Sequence, residues 1–293
     1  MALTIATNTG AINAAAAAQS TSRSMEVSME RLSTGKRINS ASDDVSGLGS
    51  ASRMTSEIRG SNQSIRNALD AQALVNVADG AHKEVDNILQ RMREIAVQAA
   101  NDTNNGQDRA NLQVEMDAMV QEIDRIASNT TWAGAKLMDD AGGKGFSFMV
   151  GAAPDVTFNV VSVTITRMNA TGLAIGDGTN SLVRVDDATL GDGSGDGRAR
   201  AGIDLIDTAI DLVSSQRSKL GAVSNRLDHT INNLSNMAAN VSSARGRIED
   251  ADYAMETTNL AKNQILQRAS MAMLSQANVS KGSVLGLFRF VDS

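Results

Sequence analysis

Apolar residues recur every three or four positions over most of this chain, and that spacing commits it to long helices packed side by side. From Leu74 the series runs Leu74, Ala78, Ala81, Val85, Ile88, Met92, Ile95, Ala99. A second runs Leu112, Met116, Met119, Ile123, Ile126. Between them "NDTNNGQD" (101–108) gathers Asn, Asp and Gly as a turn does, so the two helices are expected to fold back as an antiparallel hairpin. The third series runs Ile203, Ile206, Ile210, Val213, Arg217, Leu220, Ser224, Leu227, Ile231, Leu234, Ala238, Val241, Arg245, Ile248, and eleven of these fourteen positions are apolar. At 1.5 Å per residue that helix is roughly 70 Å long. A seam of that length and 3.5-residue spacing needs partner helices.

Composition agrees with packed helices. Apolar residues make up 42% of the 293 residues, yet the aromatics are only five Phe, one Trp and one Tyr. A single proline, Pro154, leaves the rest of the backbone free to be regular. Cysteine is absent, which excludes disulfides, thiol nucleophiles and Cys-ligated zinc. With a net charge of −6 and no basic block, nucleic-acid binding is not expected. The opening "MALTIATNTGAINAAAAAQSTSR" is not expected to act as a cleaved secretory signal, because its first positive charge is Arg23 and Ala14 to Ala18 is a weak apolar segment. No run of about 18 apolar residues exists, so no membrane insertion is expected.

The centre reads differently. "FSFMV" (146–150) and "VTFNVVSVTITRM" (156–168) are β-branched and alternating. Val156, Phe158 and Val160 share one face, then Val161, Val163 and Ile165 take the opposite phase, which suggests a bulge or a sheet covered on both sides. Pro154 falls between the two runs, where a turn is expected. The Gly/Asp-rich stretch 176–200 reads as surface loop with one short strand, Leu182 to Val185. The two ends carry apolar residues at helical spacing, Met25, Met29 and Leu32 at one and Leu260, Ile265, Ala269, Met273, Leu274 and Ala277 at the other. Neither end buries enough alone to offset its ordering entropy, so they are expected to pack on each other or on other chains.

A search for catalytic chemistry yields nothing. His82 and His229 have no second His at i+3 to i+5 and sit beside the seams, which predicts two helix-surface residues. "DGSGDG" (192–197) starts like a calcium loop, with Asp192, Ser194 and Asp196, but its twelfth position is Ile203 rather than Glu. No phosphate loop and no nucleophile elbow occurs. Neither an enzyme nor a cofactor is expected.

Larger blocks are more specific. "MERLSTGKRINSASDDVSGLGSASRM" (29–54), "ILQRMREIAVQAANDTN" (88–104), "EIDRIASNTTWAGAKLMD" (122–139), "LGAVSNRLDHTINNL" (220–234) and "RIEDADYAMETTNLAKNQILQRASMAMLSQAN" (247–278) closely resemble bacterial flagellin, in flagellin order. The resemblance implies a mainly α fold: a long antiparallel helical bundle or coiled coil with a small β-hairpin in the middle. By that resemblance residues 1–43 and 250–293 are the paired terminal helices lining the filament lumen (D0). Residues 44–200 form the N-terminal part of the next shell (D1), and 201–249 its long C-terminal helix. Only about 60 residues separate "KLMD" from the third heptad series, so the family's outer domains are largely missing. At "ANVSKGSVLGLFRF" the chain departs from the family, with Lys281 where a Pro is usual and Phe290 to Ser293 beyond the usual last residues.

The implied function is a structural subunit that polymerises with copies of itself into the extracellular flagellar filament for motility. The implied partners are the flagellar cap protein, hook–filament junction proteins, an export chaperone on the C-terminal region and the flagellar type III export apparatus, which would pass the chain without signal cleavage. A hook–filament junction protein shares the terminal pattern and stands as the alternative; a cytosolic helical scaffold fits less well. A metalloprotease-carrying flagellin is excluded by the lack of paired His.

With Ala78 as heptad position a, Met92 is a and Ile88 and Ile95 are d; Arg91 and Gln98 are g, Arg93 is b, Glu94 is c, and Gln90 and Val97 are f. The outer positions read either as a solvated face carrying an Arg91–Glu94 pair or as a subunit-contact face. The same block resembles the part of many flagellins that binds Toll-like receptor 5. The matching residues are Gln90, Arg91, Glu94, Ile95 and Gln98, with Glu115 on the next helix.

Overall fold

The computed structural model describes residues 7–139, 143–151, 159–176, 181–186 and 196–289, without the side chains of 196, 197 and 281–289. In chain order these form α1 (Thr9–Thr34), α2 (Val45–Ala99), α3 (Gly106–Asn129), β1 (Thr131–Trp132), β2 (Ala135–Lys136), β3 (Lys144–Met149), β4 (Val160–Ile165), α4 (Asp196–Glu249) and α5 (Tyr253–Arg289). The expected fold class, long helices with a small β element between them, is what is found. The chain divides into two compact units, Arg59–Ala238 and the pair Met1–Ile58 with Ala239–Ser293.

In unit 59–238 the three heptad series become α2, α3 and α4 around one core. Leu74, Leu89, Met92 and Ile95 of α2 meet Met116 and Ile123 of α3 and Ile206 and Val213 of α4. The turn between α2 and α3 is fixed by a capping box: Asn105 accepts from the Asp108 N–H at 2.9 Å, and the Asp108 carboxylate accepts from the Asn105 N–H at 3.2 Å.

The buried stripe on α2 is wider than the heptad seam. His82 and Leu89, at position e, are fully buried, whereas Ala81 and Ile88, at position d, are half-buried. The expectation of a surface His82 is therefore overturned; His229 is exposed as expected. The cause is that α2 has partners on two sides. Arg91 reaches Glu115 on α3, while Arg93 reaches Asp207 and Gln72 reaches Asp228, both on α4. A helix in a bundle buries an arc rather than an a/d line.

The β elements are two antiparallel pairs. β3 runs against β4 from Lys144↔Ile165 to Met149↔Val160, and Val161, Val163 and Ile165 face the core as the alternation predicts. Phe146 and Phe148 lie opposite Val163 and Val161 with their rings stacked at 6.4 Å. Pro154, Val156 and Phe158 lie outside the described residues. β1 and β2 form a tight hairpin around Ala133 (φ 48°) and Gly134 (φ 82°), a turn with both central residues at positive φ.

Residues 182–185 are not a strand, contrary to expectation. The described part of that stretch has one isolated bridge, Gly176↔Ser181, and Val183 and Val185 are buried rather than on a surface loop. A buried glutamine takes the place of a neighbouring strand. Gln113 of α3 donates to the Val183 carbonyl at 3.2 Å and accepts from the Val185 N–H at 2.7 Å. Asp196 and Gly197 open α4; Asp192 and Ser194 of the calcium-like stretch lie outside the described residues.

In the second unit α1 and α5 pack on each other. Asn8 caps α1 by accepting from the Ala11 N–H at 3.1 Å, and its amide donates to the Ala277 carbonyl at 3.1 Å. Gly35 ends α1 at φ 70°, a conformation that favours glycine, and donates to the Arg31 carbonyl at 2.9 Å. Asp252 caps α5 through the Ala254 and Met255 N–H groups at 3.0 and 3.2 Å. The segments beyond these caps are strapped together: the Arg37 N–H donates to the Glu249 carbonyl at 2.7 Å and the Ala251 N–H to the Gly35 carbonyl at 3.0 Å. Lys36–Glu249 at 2.6 Å and Arg31–Glu256 at 2.9 Å add ion pairs.

Candidate contact surface

Five of the six residues singled out from the sequence lie on the surface, and one does not. Gln90, Arg91, Glu94 and Gln98 are exposed on α2 and Glu115 is half-exposed on α3. Ile95 is 0% exposed, so this candidate belongs to the core and not to the surface. It lies within the buried arc of α2, in the same core cluster as Met92 and Ile123.

Arg91 is the centre of the group. Its guanidinium donates to Glu94 Oε2 at 2.9 Å and to Glu115 Oε1 at 3.1 Å, tying α2 to α3. These hydrogen bonds, to Glu94 first and then Glu115, raise its already high pKa and keep it charged. Its side chain keeps 52% of its surface exposed, so it is held in position yet open to a partner. The planar guanidinium is suited to several charge-assisted bonds at once.

The residues around Arg91 add to this arrangement. Arg93 forms a fork on Asp207 of α4, at 2.6 and 3.3 Å, so consecutive outward arginines on α2 lock opposite flanks of the bundle. Gln98 keeps its side chain free while its backbone carbonyl accepts from Asn104 Nδ2 at 2.6 Å, which closes the α2–α3 turn. Val97 and Val114 are exposed apolar side chains of α2 and α3, at 50% and 70%. Sequence reasoning missed the bridging role of Arg93. It could have been sought as a helix Arg facing an Asp on a partner series, but the pairing of α2 with α4 sets which Asp.

A second surface lies on α5. Met255, Ile265, Leu266, Met271, Met273 and Val279 are all exposed. At about 100° per residue, Met255, Leu266 and Met273 fall on one side, Met271 on the opposite side, and Ile265 and Val279 between. Apolar residues thus run around most of the helix, a pattern found in helices enclosed by neighbours. On α1, Ile12, Val27 and Met29 add to the exposed apolar surface.

Among the described residues no three His, Asp or Glu side chains gather to hold a metal ion. None of the described helices is long and apolar enough to cross a membrane.

Comparison with known proteins extends this geometry. Residues 5–142 match the bacterial flagellin N-terminal helical region and residues 203–288 match the bacterial flagellin C-terminal helical region. The chain is 38% identical to a flagellin of Bacillus subtilis (strain 168), covering 96% of this chain and 98% of that protein. It is 36% identical to the flagellar filament 33 kDa core protein of Treponema phagedenis, covering 92% and 94% respectively. Among solved structures, a putative flagellar hook-associated protein from Vibrio parahaemolyticus shares the fold, with a TM-score of 0.58 over 71% of this chain and 100% of that one at 17% identity.

Proposed function

The chain belongs to the bacterial flagellin family, and from that premise we propose how its surfaces serve the filament. As a flagellin it is a structural subunit of the flagellar filament, a self-polymer outside the cell, and not an enzyme. The relatives that are 36% and 38% identical over nearly the whole chain are a flagellar filament core protein and a flagellin, which supports the filament subunit over the hook–filament junction alternative.

The paired termini are the polymerising element of our proposal. α1 and α5 cover one side of each other, and the apolar residues left around α5 call for neighbouring copies on several sides. Residues 1–43 and 250–293 then form the inner shell and residues 44–249 the next one outward. Export through the flagellar type III apparatus without signal cleavage, a chaperone on the C-terminal region, and contact with junction and cap proteins belong to the same reading, supported by family membership.

The Arg91 group is the second contact in the proposal. Gln90, Arg91, Glu94, Gln98 and Glu115 face a neighbouring subunit in the filament, and a host Toll-like receptor 5 reads them on the free monomer. The observation that carries this is an exposed arginine held rigid between two carboxylates. Reporter cells exposed to purified monomer test it, alongside seeded growth viewed by electron microscopy. A potent response from wild type and a weak one from Arg91→Ala, with short or absent filaments, are expected. An Arg91→Ala protein as potent and as assembly-competent as wild type would end the proposal.

A further inference from the structure

One pocket of unit 59–238 lies away from the Arg91 group. It has a volume of about 490 Å³ and lies beside α4 where the chain leaves β4. Its lining includes Arg167, Lys219, Thr171 and Ser215, with the backbone of Gly143 and Gly172. Both charged residues in the lining are cations, and no carboxylate lines it.

The electrostatics of this pocket differ from those of the surface described above. Arg91, Arg93, Arg125 and Arg217 each hold a carboxylate. Arg167 makes no hydrogen bond or ion pair among the described residues, and its Nε is shielded from solvent without a partner. Asp139 lies close enough to feel the Arg167 charge, but it is engaged by Lys136 Nζ at 2.7 Å and Asn169 Nδ2 at 3.3 Å. A shielded guanidinium nitrogen without an acceptor is costly, and two cations lining one cavity repel each other. An anion between them relieves both costs.

The backbone shapes the floor. Gly143 sits at φ 74°, and a Cβ at Gly172 would lie 2.6 Å from the Arg167 carbonyl, so the chain is drawn close there in a way side chains would block. Gln216 is occupied with the β4 side, accepting from Thr166 Oγ1 at 2.9 Å and donating to the Thr164 carbonyl at 2.8 Å. Thr171 and Ser215 remain as exposed hydroxyl donors. Two cations and two hydroxyls suit an oxyanion with several oxygens better than a single carboxylate. The volume leaves room for a sugar-sized group behind it.

We propose that this pocket binds a phosphate or sulfate monoester, the Arg167 guanidinium and the Lys219 ammonium gripping the oxyanion and the hydroxyls of Thr171 and Ser215 completing its hydrogen bonds. The proposal uses no filament contact, and binding to the monomer is measured separately from polymerisation.

Calorimetric titration of the full-length monomer with glucose 6-phosphate and with inorganic phosphate, at constant ionic strength, tests this. Saturable one-site binding is expected. Lys219→Gln should raise the Kd about tenfold and Arg167→Gln should abolish uptake. Arg125→Gln, a change to an exposed arginine elsewhere, should leave binding as it is. Heat that does not saturate, equal heat from chloride, or unchanged binding in Lys219→Gln would overturn the proposal. Lys219 is exposed, so that variant decides the question even if Arg167→Gln fails to fold.

Discussion

Arg91 on α2 lies 3.1 Å from Glu115 on α3, so an exposed charge of one helix is fastened to an exposed charge of the next. Such a pair could serve the bundle or serve a partner, and exchanging its charges separates the two roles. In Arg91→Glu with Glu115→Arg, the bridge is rebuilt with reversed polarity. Both ends are well exposed, so circular dichroism and melting should match wild type. If the proposed contact holds, receptor signalling and filament growth should stay lost, because an external partner would read the sign at each position. Recovery of both in the double variant would assign the pair to the bundle alone.

His82 gives the bundle a predicted sensitivity to mild acid. Its Nδ1–H donates to the Ala78 carbonyl, and its Nε2 is buried without a partner. Burial pushes its pKa below the usual range, and Arg217 adds to this, against the opposing pull of the Ala78 carbonyl and Asp79. The unfolded chain therefore takes up a proton near pH 6.5 that the folded chain refuses. Stability is full above that pH and falls as the pH drops toward the folded pKa, by at most about 1.4 kcal/mol per pH unit. Urea titrations of wild type and His82→Leu between pH 7 and pH 5 should show the slope in wild type and its loss in the variant.

Gln113 is expected to be among the most sensitive polar positions. Replacement by Leu leaves the Val185 N–H buried without a partner, at about 1–3 kcal/mol, and leaves the Val183 carbonyl with the Ser181 hydroxyl alone, at 2.9 Å. Gln113→Glu restores an acceptor for Val185 but places a charge in the core, and should be no better. Denaturant midpoints for both variants, with hydrogen exchange at Val185, check this.

At the paired termini, Glu256 carries the corresponding acid response. Burial alone would raise its carboxyl, but hydrogen bonds from Arg31, Ser28 and Asn259 and the Arg31 charge outweigh this and hold it below the usual range. Its contribution is present above about pH 4.3 and lost as the pH falls through the lower folded value. Limited proteolysis should therefore trim the ends faster below that pH. Glu256→Gln should be trimmed quickly at neutral pH as well.

The extent to which the sequence foretold this structure follows from periodicity. Strong apolar series such as Leu74 to Ala99 located three long helices and their partners, because burial repeats with the helical turn. A heptad assumes one contact line, so it missed His82 and Leu89, which face the second neighbour of α2. The β1–β2 turn was hidden because Ala133 occupies a positive-φ position where Asn or Asp would have marked it. Val183 and Val185 looked like strand residues because their alternation is real, but their hydrogen-bond partner is a glutamine 70 residues earlier in the case of Val183. At the contact surface Arg91 and Glu94 were legible from spacing, while the reach to Glu115 depended on how the α2–α3 turn sets the two helices side by side.

The bond from Asn8 to Ala277 joins residues 269 positions apart. Closing a loop of that length costs about 5 kcal/mol beyond a constant term if nothing between the ends has folded. Folding residues 59–238 first shortens the effective path, so the terminal pair is favoured only as a late step. A subunit that is still being synthesised therefore holds α1 without its mate. Until the last residues arrive, the apolar side of α1 is available to anything else that meets it.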